Sequence, residues 1–184
     1  MVYGRVSLNV NDVPISLKYA RIERERRFLV RNPFPVSGQG RRLHIQDYYL
    51  LGTTMRLRSV IEDGQPSIFK LGQKIRIEKN QPSTNAHTTM YISKEEFDLL
   101  LQIPANTLEK VRRIEGMGEF NLSIDEFGAH LTGLVLAEID LGATGTLPDI
   151  FPFDIEDEVT NDERFTGGEL AKMTADVLSS ILGS

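Results

Sequence analysis

Residues 22–30 read IERERRFLV, in which five adjacent charged side chains run directly into aromatic and branched aliphatic residues. The aromatic and branched residues favour a strand, in which side chains two positions apart lie on the same face. Glu23, Glu25 and Arg27 therefore share one face, and the two arginines between them face the other way. We interpret the stretch as a strand with one ionic face, whose outward arginines can extend their aliphatic stems over an apolar exterior.

Several other predicted strands carry two like charges on one face. A sheet with one solvent-exposed face, which is common in antiparallel proteins, would explain any one of these strands. Like charges on one face repel each other, however, so a series of such pairs indicates an external partner that neutralises them. The pairs are Glu23 with Glu25, Arg56 with Arg58, Lys110 with Arg112, and Glu138 with Asp140.

These pairs match the chemistry of a phosphate chain bound together with a metal ion. Carboxylate pairs bind divalent cations, and guanidinium and ammonium groups bind phosphate oxygens. A cation held by carboxylates and bridging to a phosphate chain would satisfy both sets of charges at once. This composition is typical of phosphoryl-transfer sites. If the sheet closes into a barrel, the charged face becomes its lumen.

The composition narrows the kinds of site that the chain can build. The 184 residues include no cysteine, which excludes disulfides and thiolate metal sites. The three histidines are scattered along the chain and do not have the spacing of a metal-binding motif. Any bound metal is therefore expected to be a hard ion such as Mg²⁺ or Mn²⁺. The sequence has no apolar run of about 18 residues and no signal peptide, so we expect a cytoplasmic protein with no membrane partner.

The charge is distributed unevenly along the chain. Residues 1–80 carry 15 Lys and Arg against 7 Asp and Glu, whereas residues 81–184 carry 6 against 19. Such an asymmetry can indicate nucleic-acid binding or an acidic tail. The basic residues are spaced along strands rather than clustered in a tract, so we expect no nucleic-acid partner.

The hydrophobic pattern predicts an α+β fold with about eight strands and no regular βαβ order, which favours an antiparallel sheet and allows a closed barrel. Ser93 and Glu96 form a capping box at the start of a helix. Residues 43–51 are ambiguous and fit one helical turn leading into a strand, and residues 65–79 fit one or two strands. The chain is predicted to end in one amphipathic helix over residues 166–183, with an apolar face formed by Leu170, Met173, Val177 and Ile181.

Seven motifs in order resemble the CYTH superfamily, the triphosphate tunnel metalloenzymes. The first strand is similar to the E-x-E-x-K motif of that family, with Arg27 in place of the lysine. The others are MRLR (55–58), IFKL (68–71), LEKVRR (108–113), LSIDEF (122–127), GLVLAEIDL (133–141) and EDEVTNDERFTGGELA (156–171). The resemblance implies an eight-stranded antiparallel closed β-barrel, or tunnel, with a charged lumen and helices packed outside. It places this domain at residues 21–184, after an N-terminal extension, residues 1–20, that can form a hairpin.

The resemblance also implies roles for individual residues. The catalytic set would be Glu23, Glu25 and Arg27. Substrate phosphates would be bound by Arg56, Arg58, Lys70, Arg76, Lys110 and Arg112. A divalent metal, Mg²⁺ or Mn²⁺, would be held by Glu23, Glu25, Asp125, Glu138, Asp140 and Glu158. Arg27 keeps the charge of the family's lysine but is planar and always protonated, which would lower or alter hydrolytic activity.

Three functions follow from this resemblance and stay open at the level of sequence. The leading one is metal-dependent hydrolysis of inorganic triphosphate or of a small molecule that carries a triphosphate. The second is a class IV-type adenylate cyclase, and the third is a non-catalytic protein that binds polyphosphate or nucleotide. The oligomeric state is also open, with a homodimer as one form. Fold alone does not choose among these functions.

Overall fold

The computed structural model describes residues 7–10, 13–31, 40–77, 84–117, 120–142, 145–147, 151 and 155–183. Its strands are β1 (Ser7–Val10), β2 (Val13–Ser16), β3 (Arg21–Val30), β4 (Arg41–Leu50), β5 (Met55–Glu62), β6 (Ile68–Arg76), β7 (Thr84–Ile92), β8 (Ala105–Met117), β9 (Phe120–Phe127), β10 (Val135–Asp140) and β11 (Ile155–Glu158). Its helices are α1 (Lys94–Leu100), α2 (Gly167–Leu170) and α3 (Ala175–Leu182), with 3-10 turns at Ala129–Leu131 and Glu163–Phe165. None of the helices in these ranges is long and apolar enough to cross a membrane.

Strands β3 to β10 form a closed antiparallel barrel. The order around the barrel is β3, β7, β6, β5, β4, β8, β9 and β10, and β10 pairs with β3 to close it. In the closing ladder Glu138 lies opposite Arg27, and Asp140 lies opposite Glu25. β11 pairs with the last residues of β3, and β1 pairs with β2 in a separate two-stranded sheet. The predicted α+β fold, an eight-stranded closed barrel with helices outside, is confirmed.

The alternation along each strand sends charged side chains inward and apolar side chains outward. On β3, Glu23, Glu25 and Arg27 line an internal cavity, whereas Phe28 and Val30 belong to an apolar cluster on the outer surface. That cluster continues over β9 and β10, and the chain after β10 packs against it: Leu122, Ile124, Val135, Ala137, Ile139 and Leu141, with Leu147 and Phe151. Because the outer face supplies this part of the apolar core, the inner face is free to carry charge.

α1 covers another part of the outer surface. The Ser93 side chain accepts a hydrogen bond from the Glu96 amide, and the Glu96 carboxylate accepts one from the Ser93 amide, so the predicted capping box is present. Phe97 is buried against Tyr48 and Phe69, with ring centroids 5.9 and 4.8 Å from its own. These aromatic contacts hold α1 against the outside of β4 and β6.

The C-terminal segment, residues 159–183, closes one end of the barrel. Phe165, Leu170 and Leu178 from this segment are buried against apolar side chains that belong to the barrel wall. The wall side chains are Leu29, Leu108, Phe127, Leu136 and their neighbours Leu131 and Leu134. A fully buried side chain of this size contributes about 1.5–3 kcal/mol, so this contact anchors the segment firmly.

The prediction of one continuous C-terminal helix is wrong. The chain forms α2 and α3, and the helix restarts at Thr174, whose side chain accepts a hydrogen bond from the Val177 amide. The restart changes which residues are buried. Leu178 is 3 % exposed, whereas Val177, which the single helix placed on the apolar face, is 49 % exposed.

Two readings of the middle of the chain are also decided by the structure. β4 is a strand along its whole length, with no helical turn, because it pairs with β5 on one side and β8 on the other. Within residues 65–77, the described part of the range 65–79, the chain forms one strand, β6, rather than two. β4 begins at Arg41, and the Pro- and Gly-containing residues 32–39 before it lie outside the described part of the chain.

The closed end depends on a close approach between Gly167 and Tyr49. A Cβ atom at position 167 would lie 1.9 Å from the Tyr49 hydroxyl oxygen, whereas a Cβ at Gly168 would lie 3.7 Å from the nearest ring atom. We therefore expect Gly167→Ala to lower the free energy of unfolding by about 1–3 kcal/mol. The matched variant Gly168→Ala is expected to unfold at the same urea concentration as the wild type or at a slightly higher one. Equal stability of the two variants in urea unfolding would contradict this packing argument.

Candidate functional site

The barrel encloses a cavity of about 710 Å³ between its inward faces and the C-terminal segment. Nine residues that were predicted from the sequence line it: Glu23, Glu25, Arg27, Arg56, Arg58, Arg76, Lys110, Arg112 and Glu138. They come from five strands, β3, β5, β6, β8 and β10, which are spread along the chain. The barrel closure brings them together because the inward positions of every strand face the same lumen.

Asp47 anchors the paired arginines of β5. Its carboxylate accepts hydrogen bonds from Arg58 Nε at 2.6 Å and Arg58 Nη2 at 2.7 Å, and Arg56 Nε lies 3.5 Å from the same carboxylate. Burial raises the pKa of Asp47, but the charges of Arg58 and Arg56 outweigh this effect and bring the pKa to about 2. The bidentate contact fixes the orientation of the Arg58 guanidinium.

Asp125 anchors the cations of β8, as Asp47 anchors the arginines of β5. Its carboxylate accepts hydrogen bonds from Lys110 Nζ at 2.5 Å and from Arg112 Nε and Nη2, both at 2.6 Å. Asp125 is 1 % exposed, so it lies behind these cations in the barrel wall. Burial, reinforced by the charge of Arg112, lowers the pKa of Lys110 to about 8, despite the opposing carboxylate.

Glu138 connects the β8 cations to β3. It accepts hydrogen bonds from Arg112 Nη2 at 2.5 Å and from Arg27 Nε at 2.8 Å. Arg27 also donates from Nη1 to the Phe165 carbonyl at 2.8 Å, which ties it to the closed end of the barrel. Burial raises the pKa of Glu138, but the charges of Arg27 and Arg112 outweigh it and hold this pKa well below its ordinary value. Glu138 is therefore a carboxylate at neutral pH.

Glu23 and Glu25 lie on the same inward face of β3 as Arg27, beside Lys74 of β6. Lys74 Nζ is 2.5 Å from a Glu25 oxygen and 3.3 Å from a Glu23 oxygen. The other Glu23 oxygen is 2.9 Å from His87 Nδ1. Burial raises the pKa of Glu23, but the hydrogen bond from His87 and the charge of Lys74 bring it to about 2. The two carboxylates share one cation, so they lie close enough to hold a single ion between them.

The cavity lining is cationic overall. Among the residues that the structure describes, eight Lys and Arg side chains line it, against four Glu side chains and no Asp. Low-dielectric walls around an enclosed cavity strengthen the field of these charges. The arrangement therefore favours a polyvalent anion, and the carboxylates on its inner surface favour a cation that accompanies the anion.

Four predicted site residues lie outside this lining. Lys70 lies on the inward face of β6, opposite Arg58, with its ammonium 5.0 Å from the Tyr91 ring centroid. Asp140 pairs with Arg21 at 3.1 Å. Asp125 lies behind the lining, as described above. The fourth, Glu158, accepts hydrogen bonds from Arg26, whose side chain alternates with the inward ones on β3, so the structure does not bring Glu158 to the inner charges.

The structure adds residues that the sequence reasoning missed. Lys74 is two positions before Arg76, so the period of two could have placed it on the same inward face. Asp47 was hidden because residues 43–51 were not assigned wholly to a strand. His87 was missed because a lone histidine on a short strand carries no spacing signal, although its inward register with Lys74 follows once β6 and β7 are paired.

The lowered pKa of Asp47 predicts how the free energy of unfolding depends on pH. The pKa of Asp47 is about 2 in the folded protein, below its ordinary value of 3.8. Its stabilising contribution, about 2 kcal/mol, is therefore complete above pH 4 and is lost as the pH falls towards 2. We expect Asp47→Asn to have a lower free energy of unfolding in urea than the wild type at neutral pH. Between pH 4 and 2 this free energy should change less with pH in the variant than in the wild type. Parallel curves for the two proteins would contradict this assignment.

Two solved structures have this fold along most of their length. One, described as the hypothetical protein NE1496, is 23 % identical over 83 % of this chain and 99 % of that chain, with a TM-score of 0.54. The other, described as the inorganic triphosphatase NE1496, is 24 % identical over 82 % of this chain and 95 % of that chain, with a TM-score of 0.53. At these identities the likeness shows a shared fold, which is the tunnel-type barrel that the sequence motifs implied. No family profile and no curated protein matches the chain.

Proposed function

We propose that the protein hydrolyses a triphosphate inside the barrel with the help of a divalent metal ion. The observation that carries the proposal is the enclosed cavity, whose described lining contains eight Lys and Arg side chains and four Glu side chains. A triphosphate chain is a polyanion of matching sign, and it leaves the carboxylates available for a cation. The fold shared with a protein described as an inorganic triphosphatase supports the same assignment.

The cations of β5 and β8 would bind the phosphate chain. Arg58 is held by Asp47, and Lys110 and Arg112 are held by Asp125. Their positions are therefore set before substrate arrives, which lowers the entropy lost on binding and concentrates positive charge where negative charge develops during phosphoryl transfer. Arg56 and Arg76 complete this group, and Arg76 is tied to the C-terminal segment through Glu163 at 2.7 Å.

Glu23 and Glu25 are the residues best suited to hold the metal. The described part of the chain contains no cluster of three acidic or histidine side chains that forms a complete metal cage. Mg²⁺, and Mn²⁺ by analogy, is commonly bound by one or two carboxylates together with substrate phosphates, so the donor pair fits such an ion. When bound, the ion would neutralise phosphate charge and lower the pKa of water. Lys74, which both carboxylates contact, would have to move aside.

The contacts of Arg27 suit it to a positioning role in the reaction. It donates to Glu138 and to the Phe165 carbonyl, and its backbone amide donates to Thr160 Oγ1 at 2.9 Å. A lysine has a single charged nitrogen and would not reproduce this planar two-way contact. Arg27 therefore orients Glu138 relative to the closed end of the barrel, and it also contributes a positive charge to the cavity.

The proposed function is tested by comparing three substrates under the same conditions. Tripolyphosphate, ATP and thiamine triphosphate are each incubated with Mg²⁺ or Mn²⁺, and orthophosphate release is measured. We expect metal-dependent release from at least one of them, and its loss when EDTA is added. Pyrophosphate with cyclic AMP from ATP would indicate the cyclase instead. Tight tripolyphosphate binding without turnover under either metal would indicate a non-catalytic binder.

A further inference from the structure

We infer that Gly72 is the floor of a subsite for one phosphoryl group, bounded by Arg56 and His87. Gly72 lies on the inward face of β6, directly opposite Arg56 on β5, and lines the cavity. Glycine weakens the interior of a strand and often marks a place where a ligand approaches the backbone closely. The inference rests on the proposed function, because it takes the ligand to be a polyphosphate.

The space above Gly72 is bordered by nitrogen atoms. A Cβ atom at this position would lie 3.5 Å from His87 Nε2 and 3.7 Å from Arg56 Nη2. These are ordinary contact distances, so the lack of a side chain at position 72 leaves room beside both groups. A phosphoryl oxygen in that room would approach the Arg56 guanidinium closely enough to accept a hydrogen bond.

Arg56 has donor capacity that its protein contacts do not use. Its Nε atom is buried and has no hydrogen-bond partner among the described residues. The nearby Asp47 carboxylate lies 3.5 Å from this atom, and both of its oxygens already accept short hydrogen bonds from Arg58. A buried donor without a partner costs about 1–3 kcal/mol, and such groups often mark ligand or water sites. The Arg56 atom that borders Gly72 is Nη2, at 3.7 Å from the position of a Cβ atom, so a phosphoryl oxygen at the Gly72 subsite would accept a hydrogen bond from Nη2.

The size of the subsite limits what it can hold. It occupies the place of a single side chain between two neighbouring strands, so it suits one phosphoryl group rather than a ring or a sugar. A methyl group at position 72 would take that place without disturbing the wall, since its nearest neighbours stay at 3.5 Å or more. Gly72 is therefore a specificity-determining position whose substitution should separate ligand binding from folding.

Gly72→Ala tests the inference, with Gly116→Ala as its matched control. Gly116 is also in a strand, β8, and an added Cβ there meets no heavy atom within 4 Å. We expect Gly72→Ala to weaken tripolyphosphate binding by about 10- to 100-fold in calorimetry, since a hydrogen bond to a charged group is lost. KM should rise by a similar factor with a smaller change in kcat, and thermal unfolding should match the wild type. Gly116→Ala should bind tripolyphosphate as the wild type does.

The outcomes separate this inference from the proposed function. If Gly72→Ala binds and hydrolyses tripolyphosphate like the wild type, the subsite is overturned and the hydrolase stands. If the wild type binds tripolyphosphate but releases orthophosphate from none of the three substrates, the hydrolase is overturned, and the affinity ratio of the two proteins still decides the subsite. A wild type that does not bind tripolyphosphate overturns the subsite, and it overturns the hydrolase as well if ATP and thiamine triphosphate also release no orthophosphate. Equal losses in Gly72→Ala and Gly116→Ala overturn the subsite as well.

A second measurement covers the case in which Gly72→Ala does not fold. In a crystal structure of the wild type with tripolyphosphate, one phosphoryl group should rest on the Gly72 backbone and accept a hydrogen bond from Arg56. A phosphate chain that fills the cavity without touching Gly72 would overturn the inference.

Discussion

Glu25→Gln is expected to lower metal-supported hydrolysis of tripolyphosphate by at least about 100-fold, because the loss of a residue that merely orients a metal ligand already costs about 10- to 100-fold. The substitution keeps the size of the side chain but removes the charge that attracts a divalent ion. Glu25 contacts Lys74, which keeps its second partner Glu23. The fold should therefore survive, and the loss should appear in kcat at saturating metal and in the metal concentration needed for half-maximal rate.

Glu126→Gln is the control for this prediction. Glu126 is also a strand carboxylate, but it pairs with Arg113 and lies outside the cavity lining. It should hydrolyse tripolyphosphate at the wild-type rate. A Glu25→Gln protein that keeps more than a tenth of wild-type turnover, with an unchanged metal requirement, would show that the metal is held elsewhere.

Asp125→Ala is expected to have the largest effect on stability, lowering the free energy of unfolding by about 3–5 kcal/mol. The carboxylate is 1 % exposed and holds both Lys110 and Arg112 at 2.5–2.6 Å. Its removal leaves Lys110 as a buried cation without its nearest carboxylate, although Arg112 retains Glu138. The pKa of Lys110, already lowered to about 8, should fall further. Lys110 would then lose its proton, which removes the uncompensated buried charge and limits the loss of stability.

Urea unfolding at pH 7 measures this effect against an exposed ion pair. Asp98 pairs with Lys94 on the surface of α1, where both side chains are more than half exposed. Asp98→Ala should therefore cost at most about 0.5 kcal/mol. If Asp125→Ala is no less stable than Asp98→Ala, the Asp125 cluster does not hold the barrel wall together, and its buried charges are better compensated than the contacts indicate.

Much of the barrel could be predicted because period-two alternation is a local property of the chain. In the opening stretch, Glu23, Glu25 and Arg27 were predicted to face together, and they do line the cavity. The capping box at Ser93 is equally local, since it needs only residues three apart. The C-terminal helix failed for the opposite reason. Its apolar spacing fitted one helix, but the contacts of Leu178 with the closed end of the barrel favour a restart at Thr174.

The period of a strand predicts the face of a side chain but not its depth along the barrel. Lys70 and Asp140 lie on inward faces, yet neither lines the cavity, because strand tilt and register set the level that each residue reaches. Asp47 and His87 meet their partners through the register of the β4–β5 and β6–β7 ladders, in which Asp47 lies opposite Arg58 and His87 lies opposite Lys74. Their partners could not be read from spacing alone.

The sequence by itself determined the class of fold and the ionic character of the lumen, because both follow from alternation and from the residue types at inward positions. Only the tertiary structure decided which charges meet. It paired Asp47 with Arg58, Asp125 with Arg112, and Glu138 with Arg27, and it left Gly72 open beside Arg56. The reason is that Glu138 meets Arg27 only when β10 closes the barrel against β3, and the other contacts depend on the register between neighbouring strands, which the period of a single strand does not set.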